Sequence, residues 1–460
     1  MSARVLRLFL GGSVVGHFLY HYSHLRLDIF GYHAWRQCQT MATAVSFYEE
    51  DMRIWNPRRD CRGDGAGIFR MEFPLFQWSM ALFGKLTNLH PSSVGRAAAY
   101  VAFLIAIAGC YAFLRTLLPL SAALAGTGGF LWSPALFYYC TTPLPDILAL
   151  ALGLWGLALW NRSSFYLGAI CLGMAAAVKL PYVLLWSFPL SHALRKTCLD
   201  KKTLLTLLPA VFLGLLLPAG WYAHAESLWK DKGLTLGLLH QKPLLSEYAS
   251  LLIGYFVSLL PETLFGYALT LPLVIGLAVS FRQKDWPLLT VGIVLLLYTL
   301  YEMPTLKLVH DYYLLPWLVW SAVLIGRGLS SLSQKASWLP WVFLLIAPVG
   351  AWARMHHRWN PQKPGFNPDL LTYKKALQQA VPDSALTLAG VDESSFIYLY
   401  HLHKKGWCIP DPSKLPPDSI YQKAQFAYSD NRQLDSLLAP YISHEIGRWG
   451  TFRVFKLYKP

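Results

Sequence analysis

The first chemically suggestive stretch follows an apolar segment near the start of the chain and reads YHAWRQCQT, residues 32–40. Its polar and aromatic members are His33, Trp35, Arg36, Gln37, Gln39 and Thr40. The planar guanidinium of arginine suits phosphate oxygens, and imidazole exchanges a proton near neutral pH. The stretch therefore carries groups for holding an anion and moving a proton, although it contains no carboxylate.

Two carboxylates flank this stretch and are candidates for acid–base chemistry. Asp28 precedes it, and Glu72 follows within MEFPLFQW, residues 71–78. A general base must be placed against the hydroxyl proton that it removes. Glu72 stands beside Phe73 and Phe76, and burial against such side chains would raise its pKa toward a useful value.

A third group of reactive side chains lies in KLVHDYYLLP, residues 307–316. Its members are Lys307, His310, Asp311, Tyr312 and Tyr313. Ionisable groups clustered near membrane depth are costly and usually functional. Two single charges, Asp146 in PLPDILAL and Lys179 in AAVKLPYVLL, also stand at the outer ends of apolar segments. These two have a structural alternative, in which the aspartate caps a helix and the lysine reaches the membrane surface.

The composition predicts the elements that must position these groups. The chain has 460 residues, of which 55% are hydrophobic and 14% charged, whereas soluble domains carry about 25% charged residues. A membrane-crossing helix needs about 20 apolar residues. The sequence therefore predicts a mostly α-helical, polytopic membrane protein with about eleven spans. Their predicted positions are 6–22, 94–114, 119–139, 144–160, 164–178, 180–194, 203–223, 264–281, 286–302, 312–326 and 338–353. The apolar segment 247–260 is expected to lie on the membrane surface, because Pro261 and Glu262 interrupt it.

Basic residues in the short loops predict the orientation, because lysine and arginine gather on the cytoplasmic side. Such loops contain Arg115, Arg162, Arg282 and Arg327. The N-terminus is thus expected in the cytoplasm, and the long segments 23–93 and 354–460 outside. The net charge of +15 follows from these loops and calls for no nucleic acid partner.

The first outer segment is expected to contain two amphipathic helices. The spacing between Trp35 and Tyr48 predicts a helix with an apolar face. That face holds Trp35, Cys38, Met41, Ala42, Val45 and Tyr48, and the opposite face holds Arg36, Gln39, Thr40 and Thr43. We expect this helix to lie along the outer membrane surface with its polar face turned into a cavity. A second helix is predicted after Pro74.

The C-terminal segment alternates between two patterns. ALTLAG, AQFAYS and TFRVFKLY are typical of strands, and SSFIYLYHLHKK and NRQLDSLLAP are typical of helices. This alternation predicts a small α/β domain over 354–460. It would follow a transmembrane domain, 1–353, that includes the first outer segment.

The seven cysteines show no spacing typical of a metal site. Cys38, Cys61 and Cys408 fall in the predicted outer segments, where disulfides can form. A Cys38–Cys61 bond is one alternative, and the odd number leaves at least one thiol unpaired. No P-loop, HExxH or GxSxG motif occurs. The sequence thus identifies no certain cofactor, and a divalent metal has no ligand motif to support it.

Taken in order, these motifs resemble those of the GT-C glycosyltransferases, which include protein O-mannosyltransferases and lipid A aminoarabinose transferases. The resemblance is to bacterial members with HxWRQxQT and EFPLxQ stretches in the first outer loop. Here these read HAWRQCQT and MEFPLFQW. The resemblance continues through RIWNPRRD, PLPDILAL, AAVKLPYVLL, KLVHDYYLLP and DESSFIYLYHLHKKGW, and so covers essentially the whole chain.

The resemblance implies an inverting sugar transfer on the outer face of the bacterial inner membrane. The donor would be a polyprenyl-phosphate sugar, and the acceptor a hydroxyl of a glycan, lipid or protein. Cations and hydrogen-bond donors must meet the phosphate as it leaves; the candidates are Arg36, Lys307, His310, Tyr312 and Tyr313. Residues expected to line the cleft are Trp35, Gln37, Gln39, Thr40, Asp146, Lys179 and Asp311.

The sequence departs from the family pattern at the expected general base. In the family members with an HxWRQxDT stretch, which this chain also resembles, aspartate stands where this chain has Gln39, and glutamine cannot accept the proton. Asp28 and Glu72 are therefore equal candidates for the base, with His33 behind them. Two other classes stay open: a transporter or flippase for a lipid-linked sugar, and a non-catalytic membrane assembly subunit. A transporter typically shows repeated halves with broken helices, and no internal repeat is visible.

Overall fold

The structure is a computed structural model that describes residues 2–195, 201–227, 245–307, 310–413 and 423–458. Its contacts divide the chain into two compact units. The helical unit comprises Met1–Leu25, Met71–Phe76 and Arg96–His357. The mixed unit comprises Arg26–Arg70, Gln77–Gly95 and Arg358–Pro460. Most of the first predicted outer segment therefore groups with the C-terminal region.

The helical unit is built almost wholly from apolar helices. They are α1 (Ala3–His21), α4 (Pro91–Leu117, whose first residues belong to the mixed unit), α5 (Leu120–Leu131), α6 (Pro134–Tyr139), α7 (Pro145–Asn161), α8 (Phe165–Val178), α9 (Ser187–Arg195), α10 (Lys201–Ser227), α11 (Leu245–Ile253), α12 (Leu260–Thr263), α13 (Thr270–Arg282), α14 (Trp286–Lys307), α15 (Trp317–Lys335) and α16 (Leu339–Met355). Two glycines let α13 and α15 touch through their backbones. A Cβ added at Gly276 would lie 1.9 Å from the Leu324 carbonyl oxygen, and one at Gly328 would lie 1.8 Å from that of Pro272. Small residues at a crossing are the usual means of such close approach.

Three helices in the described part of the chain are long and apolar enough to cross a membrane: Pro91–Leu117, Leu207–Ser227 and Trp286–Met303. Several shorter apolar helices accompany them. With the apolar composition, they indicate a multi-pass membrane protein. The number of about eleven spans stays a prediction.

The structure departs from the predicted spans where proline or an extended residue breaks a helix. The predicted span 119–139 divides into α5 and α6, because Pro134 opens a new helix and cannot continue an old one. Segment 247–260 runs from α11 through a π-helical turn into α12. Pro261 does not interrupt it as expected, because it lies in the first turn of α12, where no amide hydrogen is needed.

The mixed unit surrounds a five-stranded sheet. Its strands are β1 (Leu386–Gly390), β2 (Lys405–Ile409), β3 (Phe426–Ser429), β4 (Ile442–Trp449) and β5 (Phe452–Leu457), in the order β2-β1-β3-β5-β4. β1 pairs in parallel with β2 and β3, and β5 pairs antiparallel with β3 and β4. Its helices are α2 (Ala34–Glu49), α3 (Leu75–Thr87), α17 (Asp369–Thr372), α18 (Lys374–Gln379), α19 (Ile397–Leu402) and α20 (Arg432–Leu438). The predicted strands β1, β3 and β5 and helices α19 and α20 are confirmed, whereas β2 and β4 were not predicted.

Helix α2 forms as predicted but is not the half-exposed surface helix that its two faces suggested. Every residue from Arg36 to Phe47 is buried. The polar face satisfies its own hydrogen bonds: the Thr40 hydroxyl donates to the Arg36 carbonyl, and the Thr43 hydroxyl donates to the Gln39 carbonyl, each at 3.0 Å. Satisfied in this way, small polar side chains can be enclosed at little cost.

Candidate functional site

The helical unit brings together six of the predicted site residues, one of which is the central lysine. Lys179 occupies an extended joint (φ −154°, ψ 110°) between α8 and the 3₁₀ stretch Leu180–Trp186. Its Nζ atom lies 3.6 Å from Asp146 Oδ2, and the two side chains are only 7% and 1% exposed. The same Nζ lies 5.0 Å from the ring centre of Tyr312 and 4.9 Å from that of Tyr313. Such distances place a cation in favourable contact with both aromatic faces.

A hydrogen-bonded group surrounds these tyrosines. His310 Nδ1 lies 3.0 Å from the Tyr312 hydroxyl, and the Tyr139 hydroxyl donates to Asp311 Oδ1. The lysine–tyrosine cluster is hereafter Lys179, Asp146, His310, Asp311, Tyr312 and Tyr313. An ammonium, an imidazole and phenol groups together can bind and neutralise a phosphate oxygen.

Sequence analysis missed two tyrosines that support the cluster. Tyr139 binds Asp311, and the Tyr182 hydroxyl donates to the Asp146 carbonyl at 3.0 Å. Both are fully buried. Tyr139 is the last residue of α6, and Tyr182 lies three residues after the break at Lys179. These interruptions of the helices are the signal that points to both tyrosines.

Glu72 belongs to the same unit, and its segment is hydrogen-bonded to the end of α8, close to Lys179. The Phe73 amide donates to the Ala177 carbonyl at 3.0 Å, two residues before Lys179. The Trp221 indole donates to the Met71 carbonyl at 3.0 Å, and its ring packs against Phe73. Main-chain bonds on both sides thus fix the segment, and the Glu72 side chain is half-buried.

The other candidate carboxylate lies in the mixed unit and has a cation bonded to it. Lys374 Nζ donates to both Asp28 oxygens, at 2.9 and 2.7 Å. Burial alone would raise the pKa of Asp28, but the charges of His401 and Lys374 and the hydrogen bonds outweigh it, so the pKa lies below its usual value. His33 opens α2 in the left-handed conformation, with φ 58°.

The remaining residues of the opening stretch make contacts within the mixed unit. Arg36 donates to the Gln39 side chain one turn along α2. The side-chain amide of Gln37 donates to the Tyr32 carbonyl at 2.9 Å and so fixes the preceding loop to the helix. The Trp35 ring lies 6.3 Å from that of Phe396. The side chain of Lys307 lies outside the described residues.

The mixed unit also contains a cavity that sequence analysis missed. Its lining residues are Val45, Asp60, His90, Ser92, Lys374, Gln378, Tyr400 and His403, and its volume is about 240 Å³. Beside it, Glu49 Oε1 lies 3.0 Å from His403 Nε2 and 3.3 Å from His90 Nε2. The hydrogen bond to Glu49 raises the pKa of His403, whereas burial raises the pKa of Asp60 to about 6. No motif signals this site, since its residues come from separate parts of the chain.

The predicted pairing of cysteines is also revised. Cys38 is buried and its sulfur lies 3.7 Å from His401 Nε2. Cys61 contacts a different cysteine, because its thiol and that of Cys408 hydrogen-bond to each other. Both are free thiols in this structure.

The fold is shared with solved membrane glycosyltransferases. ArnT from Cupriavidus metallidurans in the apo state matches with 13% sequence identity and a TM-score of 0.65, over 100% of this chain and 99% of that one. The same protein bound to undecaprenyl phosphate matches with 13% identity and a TM-score of 0.65, over 99% and 98%. The oligosaccharyltransferase AglB from Archaeoglobus fulgidus, in complex with an inhibitory peptide and a dolichol-phosphate, matches with 12% identity and a TM-score of 0.54, over 92% and 69%.

At the level of sequence, no protein-family model and no curated protein matches the chain. The solved structures named here are GT-C glycosyltransferases. At this level of identity the similarity establishes the architecture alone, and the chain therefore has the GT-C fold.

Proposed function

We propose that this protein is a membrane glycosyltransferase that moves a sugar from a polyprenyl-phosphate donor to an acceptor hydroxyl, with inversion at the sugar carbon. The observation that carries the proposal is the buried Lys179 ammonium, set between Asp146 and the rings of Tyr312 and Tyr313. Structural neighbours with the same fold bind undecaprenyl phosphate and dolichol-phosphate, which supports a lipid phosphate as the ligand of this cluster.

The cluster would stabilise the leaving phosphate. When the bond from sugar to phosphate breaks, negative charge grows on the phosphate oxygens. The Lys179 ammonium can meet this charge, with His310 and the Tyr312 hydroxyl as hydrogen-bond donors. Asp146 lies 3.6 Å from the ammonium and supplies its counter-charge while no donor is bound. Arg36 and Lys307 remain candidates for the same role from the sequence alone.

Glu72 is our candidate for the general base. It lies in the helical unit, in a segment bonded to the chain two residues before Lys179. Asp28 is a weaker candidate, because Lys374 holds both its oxygens and its pKa lies below the usual value. A carboxylate with a lowered pKa removes a proton less readily. The base would take the proton of the acceptor hydroxyl as the oxygen attacks the sugar carbon.

The test is turnover by the purified protein in lipid nanodiscs, supplied with polyprenyl-phosphate sugars and a panel of glycan, lipid and protein acceptors. We expect release of the polyprenyl phosphate to depend on Lys179 and Glu72. Movement of the intact donor across the bilayer without sugar release would identify a transporter instead. Tight donor binding without either reaction would identify a non-catalytic assembly subunit.

The proposal includes a location in the bacterial inner membrane, with the N-terminus in the cytoplasm and residues 354–460 in the periplasm. The basic loops support this orientation. Compartment-specific reporters fused after Lys201 and after the last residue should give opposite signals. Equal signals would contradict the orientation.

A further inference from the structure

Three potential metal ligands meet at the end of α1. His17, His21 and Cys140 are each fully buried, and one ligand atom from each lies within 4.8 Å of the other two. His17 and His21 are four residues apart, so both rings project from the same face of the helix. Cys140 directly follows α6, so the group joins the first helix to a second element of the helical unit.

The orientation of His17 prepares one nitrogen for a ligand. Its Nδ1 lies 3.2 Å from the Tyr100 hydroxyl. Among the described residues, its Nε2 is buried without a hydrogen-bond partner. Leaving such an atom unsatisfied is costly in a buried site. A hydrogen bond to the other ring nitrogen is the usual way of orienting a metal-binding histidine.

Aromatic rings enclose the group. The His17 ring stacks on Phe103 with centroids 4.7 Å apart, and Trp132 and Phe137 each lie 5.5 Å away. An apolar surround of this kind limits access by water and so strengthens bonds between a cation and its ligands. Buried polar groups at membrane depth are also expensive to keep without a function.

We propose that His17, His21 and Cys140 bind a zinc ion that fastens the end of α1 to α6. Two imidazoles and a thiolate are a donor set that zinc prefers, with three protein ligands and a fourth position left for water. Bond lengths of about 2.0–2.3 Å in a tetrahedral site put the ligand atoms roughly 3.5 Å apart. The three ligand atoms lie within 4.8 Å of one another, so metal binding requires the side chains to move slightly closer together. Binding converts the Cys140 thiol to a zinc-bound thiolate and releases one proton to solvent.

The experiment measures metal directly and needs no transferase activity. The full chain is purified in detergent, stripped with a chelator and titrated with Zn²⁺ alone, and bound zinc is counted by elemental analysis. We expect about one ion per chain. Substitution by Co²⁺ should give a thiolate-to-metal charge-transfer absorption.

Variants distinguish coordination from packing. Cys140→Ala and His17→Gln should lose tight zinc binding, and Cys140→Ala should lose the cobalt charge-transfer band. Tyr100→Phe should weaken zinc binding by about 10- to 100-fold, the usual effect of removing the hydrogen-bond partner of a metal-binding histidine. Cys110→Ala, a buried cysteine in α4 outside the group, is the matched control and should bind zinc as the wild type does.

Two results would overturn the proposal. One is a folded wild type that takes up no zinc. The other is unchanged zinc affinity in Cys140→Ala and His17→Gln. The alanine side chain of Cys140→Ala is small and apolar, so we expect the enclosed position to accept it. Thermal unfolding without added metal checks that this variant is folded.

Discussion

The lysine–tyrosine cluster allows a quantitative test of donor binding through Lys179. Changing Lys179 to Met removes the ammonium but keeps an apolar side chain of similar length. If the ammonium makes one charge-assisted bond to the donor phosphate, its loss should cost about 1.5–3 kcal/mol of binding free energy. At about 1.4 kcal/mol per factor of ten, the dissociation constant should rise roughly 10- to 150-fold.

The single variant has a second effect that must be separated from the first. Asp146 is 1% exposed, and removing the partner of a buried charge typically costs about 3–5 kcal/mol of folding stability. The double variant Lys179→Met with Asp146→Asn removes both charges. It should regain most of that stability, losing mainly the contacts of the ammonium with the tyrosine rings, about 0.5–2 kcal/mol. Its donor affinity should stay as low as that of Lys179→Met.

Binding of polyprenyl phosphate in nanodiscs, with thermal unfolding of each variant, measures both quantities. Lys404→Met is the matched control, since Lys404 is a buried lysine in the mixed unit that pairs with Asp383. Its donor affinity should equal that of the wild type. A folded double variant that binds donor as tightly as the wild type would remove Lys179 from the phosphate site.

Three further outcomes are expected. Glu72→Gln should lower turnover by about 10²–10⁴-fold, the usual contribution of a general base, while donor affinity stays unchanged; normal turnover would exclude Glu72. The Glu49–His403 pair should stabilise the protein most between about pH 4.5 and pH 6.5. Burial alone would raise the pKa of Glu49, but hydrogen bonding to His403 lowers it below 4.5. The hydrogen bond to Glu49 raises the pKa of His403 above 6.5. The His403 contribution is thus lost as pH rises above its folded pKa and the Glu49 contribution as pH falls through its own, so the difference in melting temperature between wild type and Glu49→Gln should be largest in that window, and a difference independent of pH would contradict the assignment. Mild oxidation should link Cys61 to Cys408, which mass spectrometry of unreduced peptides would detect; a Cys61 adduct with any other cysteine would contradict the observed contact.

The residues of the lysine–tyrosine cluster could be named from the sequence one by one as candidates, but their grouping around Lys179 could not be predicted. Lys179, Asp146 and His310 stand out because charge at the end of an apolar segment is costly, and that rule does not depend on tertiary structure. No such rule applies to the polar face of α2, because its residues do not lie at the end of a predicted span. Its threonines hydrogen-bond to carbonyls of their own helix, and composition alone cannot distinguish this arrangement from a face that lines a cavity.

The strands that were missed have physical reasons of the same kind. β2 begins with Lys405 and Gly406, which are poor strand formers, and Gly406 lies so close to β1 that an added Cβ would be 1.9 Å from the Thr387 carbonyl oxygen. β4 is mostly exposed and its register with β5 is irregular, so it lacks the alternation that identifies a strand. The cavity beside Glu49 depends on long-range contacts, which no local pattern reveals.

The glycines at the contact between α13 and α15 affect which residues of the lysine–tyrosine cluster can move. At Gly276 and Gly328 the backbones of the two helices are in direct contact. Because no side chains separate them there, we expect the two helices to move as a rigid pair. The 3₁₀ turn Asp311–Leu314 ends three residues before α15 begins. We therefore expect Tyr312 to move little relative to α15. Under the proposed function, adjustment of the cluster to a donor is then expected at Lys179, which lies in an extended joint between α8 and the 3₁₀ stretch Leu180–Trp186 and not within a helix.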